Sequence, residues 1–196
     1  MKKRLISLLL AVCMAASVLP VGAFAAAAGE TFAYEYEGQT LNYKVTSDST
    51  VEVAKNTGIT GTLKIPEGVT TIGAYAFNSL WGITEIEIPA SVESLAQGSF
   101  QWCGIVEKIT FAPGSHLKEI AGGAFYQCEK VKQIVLPDSI TQIGGAAFKD
   151  CKSLEEIVLP EGISKIEAAA FYGESADFKV HYKGSEEQWN AIDIVW

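Results

Sequence analysis

Leu136-Pro-Asp-Ser-Ile-Thr-Gln-Ile-Gly-Gly-Ala-Ala-Phe-Lys-Asp-Cys-Lys-Ser-Leu-Glu-Glu-Ile-Val158 decides the fold, because the chain writes nearly the same phrase again and again. Phenylalanine returns at Phe77, Phe100, Phe125, Phe148 and Phe171, with spacings of 23, 25, 23 and 23 residues. Self-similarity at a period of about 20–50 residues marks a solenoid, whose units bury their apolar faces on one another.

Aligned on the phenylalanine, the other apolar positions fall into columns. The residue before it is Ala76, Ser99, Ala124, Ala147 and Ala170. Five before it stand Ile72, Leu95, Ile120, Ile143 and Ile166, and eight before it Val69, Val92, Leu117, Ile140 and Ile163. Six after it come Ile83, Val106, Val131 and Leu154, and nine after it Ile86, Ile109, Ile134, Ile157 and Val180. Glu85-Ile86-Glu87-Ile88 alternates as a short strand with one face inward. Pro66, Pro89, Pro113, Pro137 and Pro160 end these strands, since proline has no amide to continue a ladder. The phenylalanine segment, Gly145 to Cys151, reads as a short helical turn with Phe148 and Cys151 on one face. The piece Ile140 to Ile143 reads as extended or as a second short strand.

The phrase Leu-Pro-x-x-Ile-x-x-Ile-x-x-x-Ala-Phe-x-x-Cys-x-x-Leu-x-x-Ile, as written in Leu136–Ile157, resembles the bacterial leucine-rich repeats of the BspA-like, or TpLRR, class. The resemblance covers about Thr62 to Tyr182, and Tyr182 to Ile192 looks like the closing segment often seen after such repeats. It implies an α/β-type, β-rich fold: a short right-handed leucine-rich-repeat solenoid of about five turns. It also implies an adhesin-like role in binding host or matrix protein. The repeat from Phe100 to Phe125 carries two extra residues around Pro113 to His116, a bulged corner. After Phe171 the pattern decays, with Asp177 where Leu154 stood.

The ends read as leader and caps. Lys2, Lys3 and Arg4, an apolar run from Leu5 to Val21, and Ala23-Phe24-Ala25 fit a secretory signal peptide over residues 1–25, cleaved after Ala25. Cys13 follows Val12 inside the apolar run, which does not suit a lipidation site. Residues 26–61 read as an N-terminal β cap: Phe32–Tyr36 and Leu41–Val45 alternate around Gly38, with a third strand at Thr50–Ala54. Repeats fill residues 62–182. A C-terminal cap spans 183–196, where Ser185 and Gln188 fit a capping box and Trp189 is expected on the last rung.

Charge and chemistry exclude several classes. Without Lys2, Lys3 and Arg4 the mature chain keeps 12 basic against 23 acidic residues, a net charge of −11. Such a surface repels nucleic acid and anionic lipid, so neither is an expected partner, and no second apolar stretch is long enough to span a bilayer. Cys103, Cys128 and Cys151 each fall three residues after the repeat phenylalanine and read as a ladder of buried, reduced thiols; their parallel side chains suit a disulfide poorly. Three single cysteines from three rungs lack metal-site spacing, and no cofactor motif is present. His116 and His181 have no partnering nucleophile or carboxylate at a recurring position, so no catalytic constellation is expected.

Function is left to what the repeat does not fix. On the outward strand face one column runs Lys64, Glu87, Thr110, Val135, Val158 and His181, in which Val135 and Val158 are either a small docking patch or merely good strand formers. A neighbouring column places Glu85 to meet Lys108 and Glu156 to meet Lys179. Trp81, Trp102 and Tyr126 are aromatics near one corner, read either as partly buried or as a ligand surface. The expected role is a secreted or cell-surface module that binds a protein partner. Glycan binding through the exposed aromatics and a purely structural spacer are the alternatives.

Overall fold

The structure is a computed structural model and describes residues 29–47 and 50–195. The expected leader at 1–25 lies outside the described residues, as does Trp196. In chain order the strands are β1 (Thr31–Tyr36), β2 (Gln39–Ser47), β3 (Thr50–Val53), β4 (Thr60–Lys64), β5 (Thr71–Ile72), β6 (Gly82–Ile88), β7 (Ser94–Leu95) and β8 (Lys108–Phe111). Then come β9 (Glu119–Ile120), β10 (Gln133–Val135), β11 (Gln142–Ile143), β12 (Glu156–Leu159), β13 (Lys165–Ile166) and β14 (Lys179–Tyr182). Helix α1 (Glu186–Asn190) and β15 (Asp193–Ile194) close the chain.

Each turn of the solenoid contributes one strand to each of two walls. The longer strands β4, β6, β8, β10, β12 and β14 form the strand face, and parallel register carries each column from rung to rung within β4–β6–β8 and within β10–β12–β14. That makes six turns, where the phenylalanine count suggests five. The extra turn is the first, whose Leu63, Ile65 and Pro66 keep the rhythm while Ala54 stands where the phenylalanine would be. Asn56 closes this end: it is buried, its amide donates to the Ala76 carbonyl, and its Oδ1 accepts from Asn42 N–H at 2.7 Å. The shorter strands β5, β7, β9, β11 and β13 form the second wall, flanked by β1–β3 at one end and β15 at the other, in one nine-stranded sheet.

The phenylalanine segments form a third ladder, and here the expectation of a helical turn is corrected. Two residues per rung are left-handed: two before the phenylalanine (Tyr75, Gly98, Gly123, Ala146, Ala169) and two after it (Ser79, Trp102, Gln127, Asp150, Gly173). On the Phe77, Phe100, Phe125 and Phe148 rungs, these residues and the phenylalanine between them aim their amides along the stack. Phe125 N–H, for example, donates to the Ala147 carbonyl at 2.8 Å, flanked by Gly123 to Gly145 and Gln127 to Lys149. A helix turns its amides back on its own chain; this segment gives three per rung to its neighbour. The phenylalanine rings follow the same spacing. Phe77, Phe100, Phe125, Phe148 and Phe171 stack at 5.2, 5.3, 5.6 and 5.7 Å, within 11° of parallel.

The core is this stack with the aliphatic columns around it. Phe77, Phe100, Phe125 and Phe148 are wholly buried, and so are Cys103, Cys128 and Cys151. The cysteines are free thiols that donate to the carbonyls of Phe77, Phe100 and Phe125. At the two ends, Glu37 and Gly38, each at positive φ, join β1 to β2, and the Ser185–Gln188 capping box is present in both halves. The Trp189 ring lies 5.4 Å from that of Tyr182 on the last rung.

One seam interrupts the stack. Between the Phe100 and Phe125 rungs the strand face divides into two three-stranded sheets, β4–β6–β8 and β10–β12–β14. On the second wall the β7–β9 pairing shrinks to the single partnership Leu95 with Ile120. The break lies beside the two-residue insertion at the bulged corner, between β8 and β9. The phenylalanine ladder crosses the seam intact.

Candidate partner-binding faces

The seam cuts through the candidate column on the strand face. Register puts Lys64 beside Glu87 and Glu87 beside Thr110 on one side, and Val135 beside Val158 and Val158 beside His181 on the other. Between Thr110 and Val135 a groove of about 540 Å³ opens, with Lys108 and Gln133 at its edge and Lys183 and Asp138 at its far end. Val135 is 51% exposed, and Lys183 Nζ meets Asp138 Oδ1 at 2.6 Å. The corner glycine Gly114, at φ +75°, lets the insertion fold over the groove.

The neighbouring charge column has the expected register without the expected ion pairs. Glu85 stands opposite Lys108 and Glu156 opposite Lys179. Neither pair closes to within 4.0 Å among the described residues. Glu156 instead accepts from Gln133 Nε2 at 2.9 Å and approaches His181 at 4.0 Å, while Lys64 reaches back to Glu37 of the hairpin at 2.8 Å. Exposed side chains have several neighbours to choose from, and register alone does not select one.

The aromatic residues do not form one patch. Trp81 is 64% exposed and packs its ring against Gly104, where an added Cβ would come within 2.8 Å of it. Trp102 leans on Tyr126 at 6.5 Å and 48°. Among the described residues no ring contact joins Trp81 to Trp102. Sequence reasoning passed over Tyr75 and Lys149, which join Tyr126 around a second groove on the phenylalanine side. Their signal was the run of small residues, Gly122-Gly123 and Gly145-Ala146, that leaves the backbone bare between them.

Nothing among the described residues has the make-up of a metal centre, and no helix is long and apolar enough to cross a membrane. The thiols are chemically quiet: burial pushes Cys103 up to about 12 and Cys128 well above the ordinary cysteine range. His116 and His181 are both exposed and far apart in the stack.

Known proteins agree with this geometry. Residues 54–176 match the family model of the BspA type leucine rich repeat region in six copies. A leucine rich cell surface protein of Faecalibacterium prausnitzii is 30% identical, with a TM-score of 0.74 over 82% of this chain and 42% of its own. The Treponema pallidum leucine rich repeat protein, 24% identical, superposes with a TM-score of 0.52 over 72% of this chain and 82% of its own. The pneumococcal vaccine antigen PcpA, 20% identical, gives 0.61 over 87% of this chain and 49% of its own. The chain therefore spans less than half of the F. prausnitzii and PcpA chains. No curated protein matches significantly. With six matched copies and a six-turn stack of the same period, the chain belongs to the BspA-type leucine-rich-repeat family.

Proposed function

We propose that this protein is a secreted or cell-surface recognition module, adhesin-like in role, that binds a protein partner through its strand face at the seam. The observation that carries the reading is the groove between Thr110 and Val135. It is the place where the insertion departs from a repeat that otherwise serves packing. Its make-up, an exposed valine and aliphatic floor within a rim of Lys108, Gln133 and the Lys183–Asp138 pair, resembles the apolar centre and polar rim of protein interfaces. The surface location draws on the expected leader and on the F. prausnitzii neighbour, a cell surface protein.

The test is crosslinking capture from cell-surface and host-matrix extracts. Wild-type protein is compared with Thr110→Arg and Val135→Glu, both exposed substitutions that leave the core intact. Loss of one wild-type partner in both variants supports the reading. An unchanged set of captured proteins at unchanged yield removes the strand face from consideration. Mass spectrometry of the exported chain checks cleavage after Ala25.

A further inference from the structure

We propose that the groove on the phenylalanine side is a separate binding site for a short neutral oligosaccharide. It encloses about 350 Å³, within the size range of small-ligand sites, and lies away from the strand face. Its floor is main chain, because Gly122, Gly123 and Gly145 bring no side chains to it. Tyr75 closes one end, packed so tightly over Gly98 that a Cβ there would fall 2.5 Å from the ring. Tyr126 and Lys149 rise along the side. The lining runs from the Phe77 rung to the Phe148 rung, three steps or about 14 Å, which suits a chain of sugars better than a single ring.

The polar groups narrow the ligand. Gln97 and Gln101 line the groove, and neither side chain has a hydrogen-bond partner among the described residues. A carboxamide offers donor and acceptor together, as a sugar hydroxyl requires. Tyr126 Oη accepts from Gln127 Nε2 at 3.3 Å, which leaves its own proton to donate. No carboxylate lines the groove, although acids outnumber bases 23 to 15 in the chain. The one cation, Lys149, is held over the Tyr172 ring at 5.2 Å. A polyanion would meet one engaged lysine on an acidic protein, and a peptide would find no apolar anchor pocket. Neutral hydroxyls facing amides, with sugar faces against Tyr75, Tyr126 and bare backbone, fit what is there.

The experiment is a glycan array carrying neutral, sialylated and sulfated oligosaccharides, followed by titration of any hit. Two variants act on the groove: Tyr126→Ala removes a wall, and Gly145→Leu adds a bulky side chain at the Phe148 end, where a Cβ meets the Ala168 carbonyl at 3.4 Å and Glu167 at 3.8 Å. Circular dichroism and melting confirm that each is folded, and Gln101→Ala serves as a milder third. The expected result is binding of a neutral oligosaccharide, weakened at least tenfold by Tyr126→Ala and Gly145→Leu and unchanged by Trp81→Ala. Binding of acidic glycans alone, no binding across the array, or neutral binding that survives both groove variants overturns the proposal. Thr110→Arg should leave glycan binding intact, so this site and the protein-binding seam can fail separately.

Discussion

Replacing Phe125 with alanine should be among the costliest single changes in this protein. The ring is wholly buried and lies between Phe100 at 5.3 Å and Phe148 at 5.6 Å, within 7° of parallel to both. Truncating a core phenylalanine costs about 3–5 kcal/mol, and a ring stacked on both faces belongs at the upper end, about 4–5 kcal/mol. Phe171 is the internal control. It is only half-buried and meets one parallel ring, with Phe178 tilted at 35° on its other side, so Phe171→Ala should cost about 2 kcal/mol. Urea unfolding followed by far-ultraviolet circular dichroism measures both. The seam adds a second signature. With the strand face divided there, the phenylalanine ladder and ring stack are the main ties between the Phe100 and Phe125 rungs. Phe125→Ala should therefore split one unfolding transition into two, as a nearest-neighbour stack predicts when an interface is weakened. Equal costs at Phe125 and Phe171, with a single transition in both variants, would refute the idea that stability flows through the ring stack.

Ala146 occupies a left-handed position that Gly98 and Gly123 fill on earlier rungs, so Ala146→Gly should stabilise the protein by up to about 1 kcal/mol in the same denaturation assay. The native thiols should resist iodoacetamide at pH 8 and react only in denaturant, since burial holds them protonated; rapid native labelling, read by mass spectrometry, would contradict this. Burial also pushes the Glu174 carboxyl up to about 7, with both oxygens shut off from solvent, so the fold binds that proton more tightly than the unfolded chain does. The resulting stability is complete below pH 4.5 and is lost as pH rises through about 7. Glu174→Gln should thus melt about 2–4 °C above the parent at pH 8 and show a smaller gap at pH 4.5; equal gaps would rule the titration out.

What the sequence disclosed was everything written in side-chain type at fixed spacing. The aliphatic columns, the buried thiols, the capping box at Ser185 and the hairpin around Gly38 all follow from residue identity. The phenylalanine ladder was hidden because it is made of main chain. Its left-handed positions hold Tyr75, Trp102, Gln127 and Asp150 as readily as glycine, and only Gly98, Gly123 and Gly173 betray them. The first turn was hidden for the opposite reason: Ala54 took the place of the one residue that announces a rung. The strand-face column was legible as a register, yet its division at the seam was not. An insertion of two residues marks a bulge in sequence, but which walls part beside it depends on packing between rungs that spacing does not record.

The seam also sets how the molecule would answer to force. Pulled along the axis of the stack, most neighbouring rungs share load among three walls of main-chain bonds. At the seam the strand face carries none of its ladder and the second wall is reduced to one partnership. Load there concentrates on four amides, from Gly98, Phe100, Trp102 and His116, and on the stacked rings. A molecule tethered at one end and gripped at the other would part first between the Phe100 and Phe125 rungs. The seam thus makes a mechanical fuse at mid-length, beside the groove where a partner is proposed to hold on.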